Sequence, residues 1–167
     1  TVSMITKYFG GEIPEYKGDV TPFDSAFRVF GKACIEEYTT NFDKFQIDQA
    51  ITACINYVSR ANKYIDETAP WTLAKDESKK ARLAEVMYNL CESIRIISVL
   101  IAPFMPATAA EIRNQLGVKA DIEWEECGVF DKEETYTVHK GGIIFPRIDL
   151  EKELAERRAM AENKAIA

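Results

Sequence analysis

Apolar residues recur along this chain at three- and four-residue spacing, and proline and glycine break the runs. Val2, Ile5 and Phe9 share one side of a helix that Gly10-Gly11 stops. Residues 12–20, with Pro14 and Gly18, read as a loop. Thr21-Pro22-Phe23-Asp24 is a helix start. Thr21 accepts from a free backbone N–H, Pro22 suits the first turn, and Asp24 places negative charge at the N-terminal dipole. Phe23, Phe27, Phe30, Cys34 and Tyr38 then mark one apolar face. Asn41 or Asp43 is expected to cap the next helix. There Phe45, Ala50, Ile51, Cys54, Ile55 and Val58 keep the period to about Glu67, and Pro70 ends it. Leu83, Val86, Met87, Leu90, Ile94, Ile97 and Leu100 mark a third long helix, broken by Ala102-Pro103-Phe104-Met105-Pro106. Thr108 caps a short helix to about Leu116, which Gly117 closes. Residues 135–138 and 141–145 are predicted to pair as a small hairpin, and Asp149 to cap a last polar helix, Leu150 to about Ile166. The pattern predicts an all-α fold: an antiparallel bundle of about five helices over residues 1–150, with an extended C-terminal segment and a polar helix over 151–167.

Composition narrows the class. At 167 residues and 47% hydrophobic, the chain suits one domain with a sizeable core. No run approaches the ~18 apolar residues of a membrane span, so no membrane contact is expected. The N-terminus lacks the basic start and apolar stretch of a signal peptide. It also begins without an initiator methionine, which reads as a piece of a longer protein. Twenty-one basic against 27 acidic side chains give a net charge of −6. Residues 121–134 carry Asp121, Glu123, Glu125, Glu126, Asp131, Glu133 and Glu134 against Lys132, so the rest of the chain is neutral. A basic face elsewhere therefore stays open, and the acidic segment should turn away from any nucleic acid or meet a basic protein surface. Cys34, Cys54, Cys91 and Cys127 have no zinc-knuckle spacing and no Cys-x-x-Cys, and read as free buried thiols of a cytoplasmic protein. His139 is the only histidine, too few for a triad, a multi-histidine metal site or a Glu-x-x-His carboxylate centre.

The most informative stretch is residues 59–71. A long helix ends in polar and basic residues, Pro70 turns the chain, and Trp71 follows at once. A ring presented there can stack on an unpaired base, worth ~1–3 kcal/mol. Lys75, Lys79, Lys80 and Arg82 follow within reach of phosphates. The same Pro-Trp can also be a plug that fixes a helix corner, and the same cations a solvated helix face.

Asn62-Lys63-Tyr64-Ile65-Asp66, then Pro70-Trp71 and Leu73-Ala74-Lys75-Asp76, resembles the C-terminal anticodon-binding domain of the bacterial methionyl-tRNA synthetase family. The opening 1–11, Leu100 to Pro106, Gln115-Leu116-Gly117 and Ile144-Phe145-Pro146-Arg147-Ile148 resemble further parts of it, in order, over residues 1 to about 150. The resemblance implies an all-α bundle appended to a catalytic Rossmann domain, and recognition of the CAU anticodon loop of methionine tRNA. It implies that Trp71 stacks on the first anticodon base and that Pro70 positions it. It also implies an asparagine and an arginine on the first helix, at positions just before Thr1. The start of that helix and the end near Glu67 are expected to converge on the RNA. Arg60 and Lys63 are candidate phosphate contacts or partners of Asp66 and Glu67, and Lys75 is a candidate phosphate contact. The family implies an ATP- and Mg-dependent methionine–tRNA ligase as parent. This chain has neither a His-Ile-Gly-His-like nor a Lys-Met-Ser-Lys-Ser-like signature, so no catalytic site and no cofactor of its own is expected. Two other readings remain at this point: the anticodon domain of a sister synthetase for valine, isoleucine, leucine or cysteine, and a helical docking scaffold without RNA contact.

Overall fold

The computed structural model describes residues 1–15, 18, 21–119, 122, 124–130 and 136–166, without the side chains of 159 and 161–166. Its helices are α1 (Val2–Phe9), α2 (Pro22–Asp43), α3 (Ile47–Thr68), the single turn α4 (Pro70–Leu73), α5 (Lys80–Leu100), α6 (Pro106–Leu116) and α7 (Leu150–Ile166). No strand is present among the described residues, and the all-α expectation stands. α2 and α3, each 22 residues or ~33 Å long, lie against each other and against α5, and α5 carries α4 and α6.

Local chemistry explains most of the boundaries. α1 ends on Gly10 at φ +65°. At the start of α2 the Thr21 backbone N–H donates to Asp24 Oδ2 at 3.0 Å, as a helix-opening acidic residue should. α3 ends on Ala69 in the left-handed region at φ +41°, and Pro70 opens α4. Before α7 the Lys152 N–H donates to Asp149 Oδ1 at 3.2 Å. Two caps differ from expectation. α3 begins after Gln46, not at Asn41 or Asp43, because α2 runs on to Asp43 and Phe45 turns the chain at φ +57°. α6 is capped at Met105, three residues before the cap expected at Thr108, because Pro106 itself supplies the first helical position.

The buried faces also differ in part. In α2 Phe27, Cys34 and Tyr38 are buried as expected, but Phe23 and Phe30 are exposed, and Asp24, Arg28 and Gly31 take the inner stripe instead. In α3 Ala50, Ala53, Cys54, Tyr57, Ala61 and Tyr64 are buried, whereas Ile51 and Ile55, and Phe45 in the turn before it, are exposed. Small side chains let α2 and α3 approach, and two tyrosines fill what remains. The Phe27 and Tyr64 rings stack at 4.4 Å. A Cβ on Gly31 would stand 2.7 Å from Tyr57 Oη, so glycine is required there. α5 is buried nearly all round, and its buried arginine is satisfied by protein groups: Arg95 pairs with Glu92 at 2.9 Å and donates to Val129 O at 2.8 Å.

Among the described residues the predicted hairpin is not formed. Thr137 makes an antiparallel bridge with Glu12, Ile13 N–H donates to Tyr136 O at 2.9 Å, and Val138 N–H donates to Gly11 O at 2.8 Å. His139 N–H donates to Gln115 O at 2.7 Å. The polar backbone groups that residues 141–145 would have paired with are therefore used by the 11–13 loop and the end of α6. Gly117, at φ +70°, lies under this segment: a Cβ would stand 2.1 Å from Thr137 O. Of the acidic segment, Asp121, Glu123, Asp131, Glu133 and Glu134 lie outside the described residues.

Candidate nucleic-acid interface

The helix axes fix two ends of the bundle. One joins the start of α2, the end of α3, all of α4 and the start of α5. Trp71 stands there, 48% exposed, on a turn whose preceding residue, Pro70, is buried. The left-handed Ala69 swings the chain out of α3, and buried Pro70 fixes where it goes. Thr72 N–H donates back to Ala69 O at 2.8 Å, closing the turn. The indole is therefore carried on rigid backbone with part of its surface in solvent, as a stacking platform needs. Tyr8, in the last turn of α1, lines a small hollow with Leu73, Ala74 and Leu83, while Thr1, Val2 and Ser3 lie beside Ile94 and Leu116. Leu83 and Ile94 are ~16 Å apart along α5. The last turn of α1 thus reaches this corner.

The candidate cations sort by partner. Arg60 has a side chain only 15% exposed, 3.1 Å from Glu67 Oε2, with its guanidinium over the Phe27 ring at 5.5 Å. Of its two expected uses, the pairing with Glu67 is the one formed. Lys63 is 71% exposed and 3.8 Å from Glu67 Oε1, a surface pair of little strength that leaves its ammonium available. Lys79 pairs with Asp76 at 3.5 Å and Lys80 with Glu77 at 3.1 Å. Lys75 is exposed and forms no ion pair among the described residues.

Beneath the corner lies a polar cluster that no sequence pattern singled out. Arg82, expected to be a phosphate contact, instead grips buried Asp24 with both nitrogens, Nη1 to Oδ2 at 2.6 Å and Nη2 to Oδ1 at 2.9 Å. Tyr64 Oη donates to Asp24 Oδ1. Asn89 Nδ2 donates to Tyr64 Oη at 3.1 Å, and Arg28 donates to Asn89 Oδ1 from Nε at 2.9 Å. Burial raises the Asp24 carboxyl, but hydrogen bonds from Arg82, Tyr64 and Thr21 outweigh it and hold it below the usual carboxylate range. Burial, with the Asp24 hydrogen bond, pushes the Tyr64 phenol up. The available signal was polar Asp24 and Arg28 on the same helical stripe as Phe27, Gly31 and Cys34.

The four cysteines are free and buried. Burial pushes the Cys34, Cys54 and Cys127 thiols up to about 11 each, which unfits them as nucleophiles or ligands at neutral pH. Among the described residues no cluster could hold a metal ion, and no helix is long and apolar enough to cross a membrane.

Residues 15–160 match the family described as the anticodon binding domain of methionyl tRNA ligase. A methionine–tRNA ligase of Listeria innocua is 46% identical over 158 residues, covering 92% of this chain and 24% of the relative. One from Caldanaerobacter subterraneus is 46% identical over 167 residues, covering 98% and 26%. The apo methionyl-tRNA synthetase of Mycobacterium tuberculosis superposes with a TM-score of 0.80 at 28% identity, over 89% of this chain and 30% of that one. The chain thus spans about a quarter of the length of the curated relatives it matches.

Proposed function

The chain belongs to the family of methionyl-tRNA ligase anticodon-binding domains, and from that membership we propose that it binds the anticodon loop of methionine tRNA, with Trp71 stacking on an unpaired base. The observation that carries this reading is the half-exposed indole on a backbone corner fixed by Ala69 and Pro70. Loop bases in RNA are splayed and accessible, and an aromatic face takes any of them. Stacking is sequence-tolerant, so discrimination of CAU comes from hydrogen bonds to base edges, which the family resemblance assigns to residues preceding Thr1. Lys75 and Lys63 are the phosphate contacts in this reading, because their ammonium groups are exposed. Arg60 is a support: it ties the last turns of α3 through Glu67 and leaves little of its guanidinium for RNA.

The parent in this proposal is a cytoplasmic enzyme that joins methionine to its tRNA with ATP and Mg, using a catalytic Rossmann domain in the remaining three quarters. This chain contributes the grip on the far end of the tRNA. Titration of the 167-residue chain with a methionine anticodon stem-loop tests the reading. Binding weakens with rising salt, since phosphate contacts release counterions. Trp71→Ala lowers affinity by about 5- to 150-fold, the equivalent of ~1–3 kcal/mol of base stacking. No salt-dependent binding of the stem-loop favours the docking-scaffold alternative, and affinity unmoved by Trp71→Ala takes the indole out of the interface. Tighter binding of a valine, isoleucine, leucine or cysteine stem-loop than of the methionine one favours a sister specificity.

A further inference from the structure

We propose that Asp24 is the positioning residue of the Trp71 corner: its single buried carboxylate closes the base of the loop that carries the indole and so sets where the indole stands. The inference rests on the stacking role proposed for Trp71. The loop in question leaves the bundle after Tyr64, on α3, and rejoins it at Arg82, on α5. Both ends are bonded to the same acid, which belongs to a third helix. Tyr64 Oη donates to Oδ1, and Arg82 donates to Oδ2 at 2.6 Å and to Oδ1 at 2.9 Å. Asn89 donates to Tyr64 Oη at 3.1 Å, and Arg28 holds Asn89 from behind at 2.9 Å. Tyr64 is also hooked to the loop by its backbone, since Thr68 Oγ1 donates to Tyr64 O at 2.7 Å just before the chain turns at Ala69.

The bidentate Arg82 grip fixes direction as well as distance, because a guanidinium and a carboxylate meet in one plane. The Phe27 ring stacked on Tyr64 adds a flat wall that stops the phenol from rotating away. Nothing in this arrangement faces RNA directly. Its effect on RNA passes through the attitude of Trp71, whose entropy of ordering is met before the base arrives.

The test uses the 167-residue chain labelled with fluorotryptophan and compares wild type, Tyr64→Phe and Arg82→Lys. Each variant keeps the Asp24 charge and its neutralising partner, which Asp24→Asn does not. Fluorine NMR reads Trp71 directly, with Trp124 at the other end of the bundle as the internal control. The expected result is a shifted and broadened Trp71 line with an unchanged Trp124 line. A stem-loop affinity lower by about three- to tenfold accompanies it, the size of one lost hydrogen bond. A Trp71 line identical to wild type, with stability alone reduced, overturns the proposal and makes the cluster a structural tie only. If wild type and Trp71→Ala bind the stem-loop equally, the anticodon reading fails by itself, and the Trp71 line still decides whether Asp24 positions the corner.

Discussion

Trp71 and Trp124 are exposed to nearly the same degree, 48% and 40%, at opposite ends of the α2–α3–α5 bundle. Their surroundings differ in two respects. Trp124 has a ring partner: its indole lies 5.8 Å from Tyr38, which in turn stacks on Phe42 at 5.6 Å, and the three line a cleft with Asp43 and Pro103. No ring contact reaches Trp71 among the described residues. Charge also differs. Glu125 and Glu126 follow Trp124 directly, while residues 60–82 around Trp71 carry six basic against four acidic side chains. Exposure alone does not make a platform for a base. An open face and a surface that tolerates phosphate are needed as well, and among the described residues the Trp71 end is the one that offers an indole without a ring partner.

The contrast is broken most severely by exchanging the test residue. Trp71→Ala is expected to cost the stem-loop most of its affinity, whereas Trp124→Ala should change affinity less than about twofold, since it removes no stacking surface for RNA. Acid separates the ends next. The folded Asp24 carboxyl titrates below its ordinary 3.8, so the stability it contributes is whole above that pH and is lost as pH falls through the folded value. Thermal melts from pH 6 downward should therefore fall on the acid side, and Asp24→Asn should flatten that part of the fall while lowering the plateau. Removing one partner from a buried charged pair typically costs about 3–5 kcal/mol. The smallest effects come from surface charge. Lys75→Gln should reduce the slope of log affinity against log salt by about one and weaken all stem-loops alike. Glu125→Gln with Glu126→Gln should leave affinity the same or slightly higher, read from the same salt titration.

The two ends were not equally legible in the sequence. At the Trp71 end, the Thr21-Pro22-Phe23-Asp24 start, the stop near Thr68 and the Pro70-Trp71 turn were visible because proline, caps and helical period act locally. The polar cluster beneath it was not. Asp24 and Arg82 are 58 residues apart, and neither position carries a periodic signal that names the other. Arg82 read as a solvent-facing cation because a long side chain can turn either way from an exposed helix start. At the opposite end, exposed Phe45, Ile51 and Ile55 read as core because they are large and apolar, while the contact they were assigned is made by alanines and Cys54. Pattern reading weighs side-chain size, but helices that pack closely select small residues. The hairpin failed for a related reason: the 136–139 segment found its partners in the 11–13 loop and at Gln115, which sequence proximity does not rank.

An anticodon base lying on the open face of Trp71 would change the emission of that indole. In a Trp124→Phe chain, Trp71 is the only indole. A methionine anticodon stem-loop should quench its emission, and the same stem-loop made abasic at the first anticodon position should bind more weakly and leave the emission unchanged. Tight binding of both RNAs with no quenching by either would mean that no base stacks on Trp71.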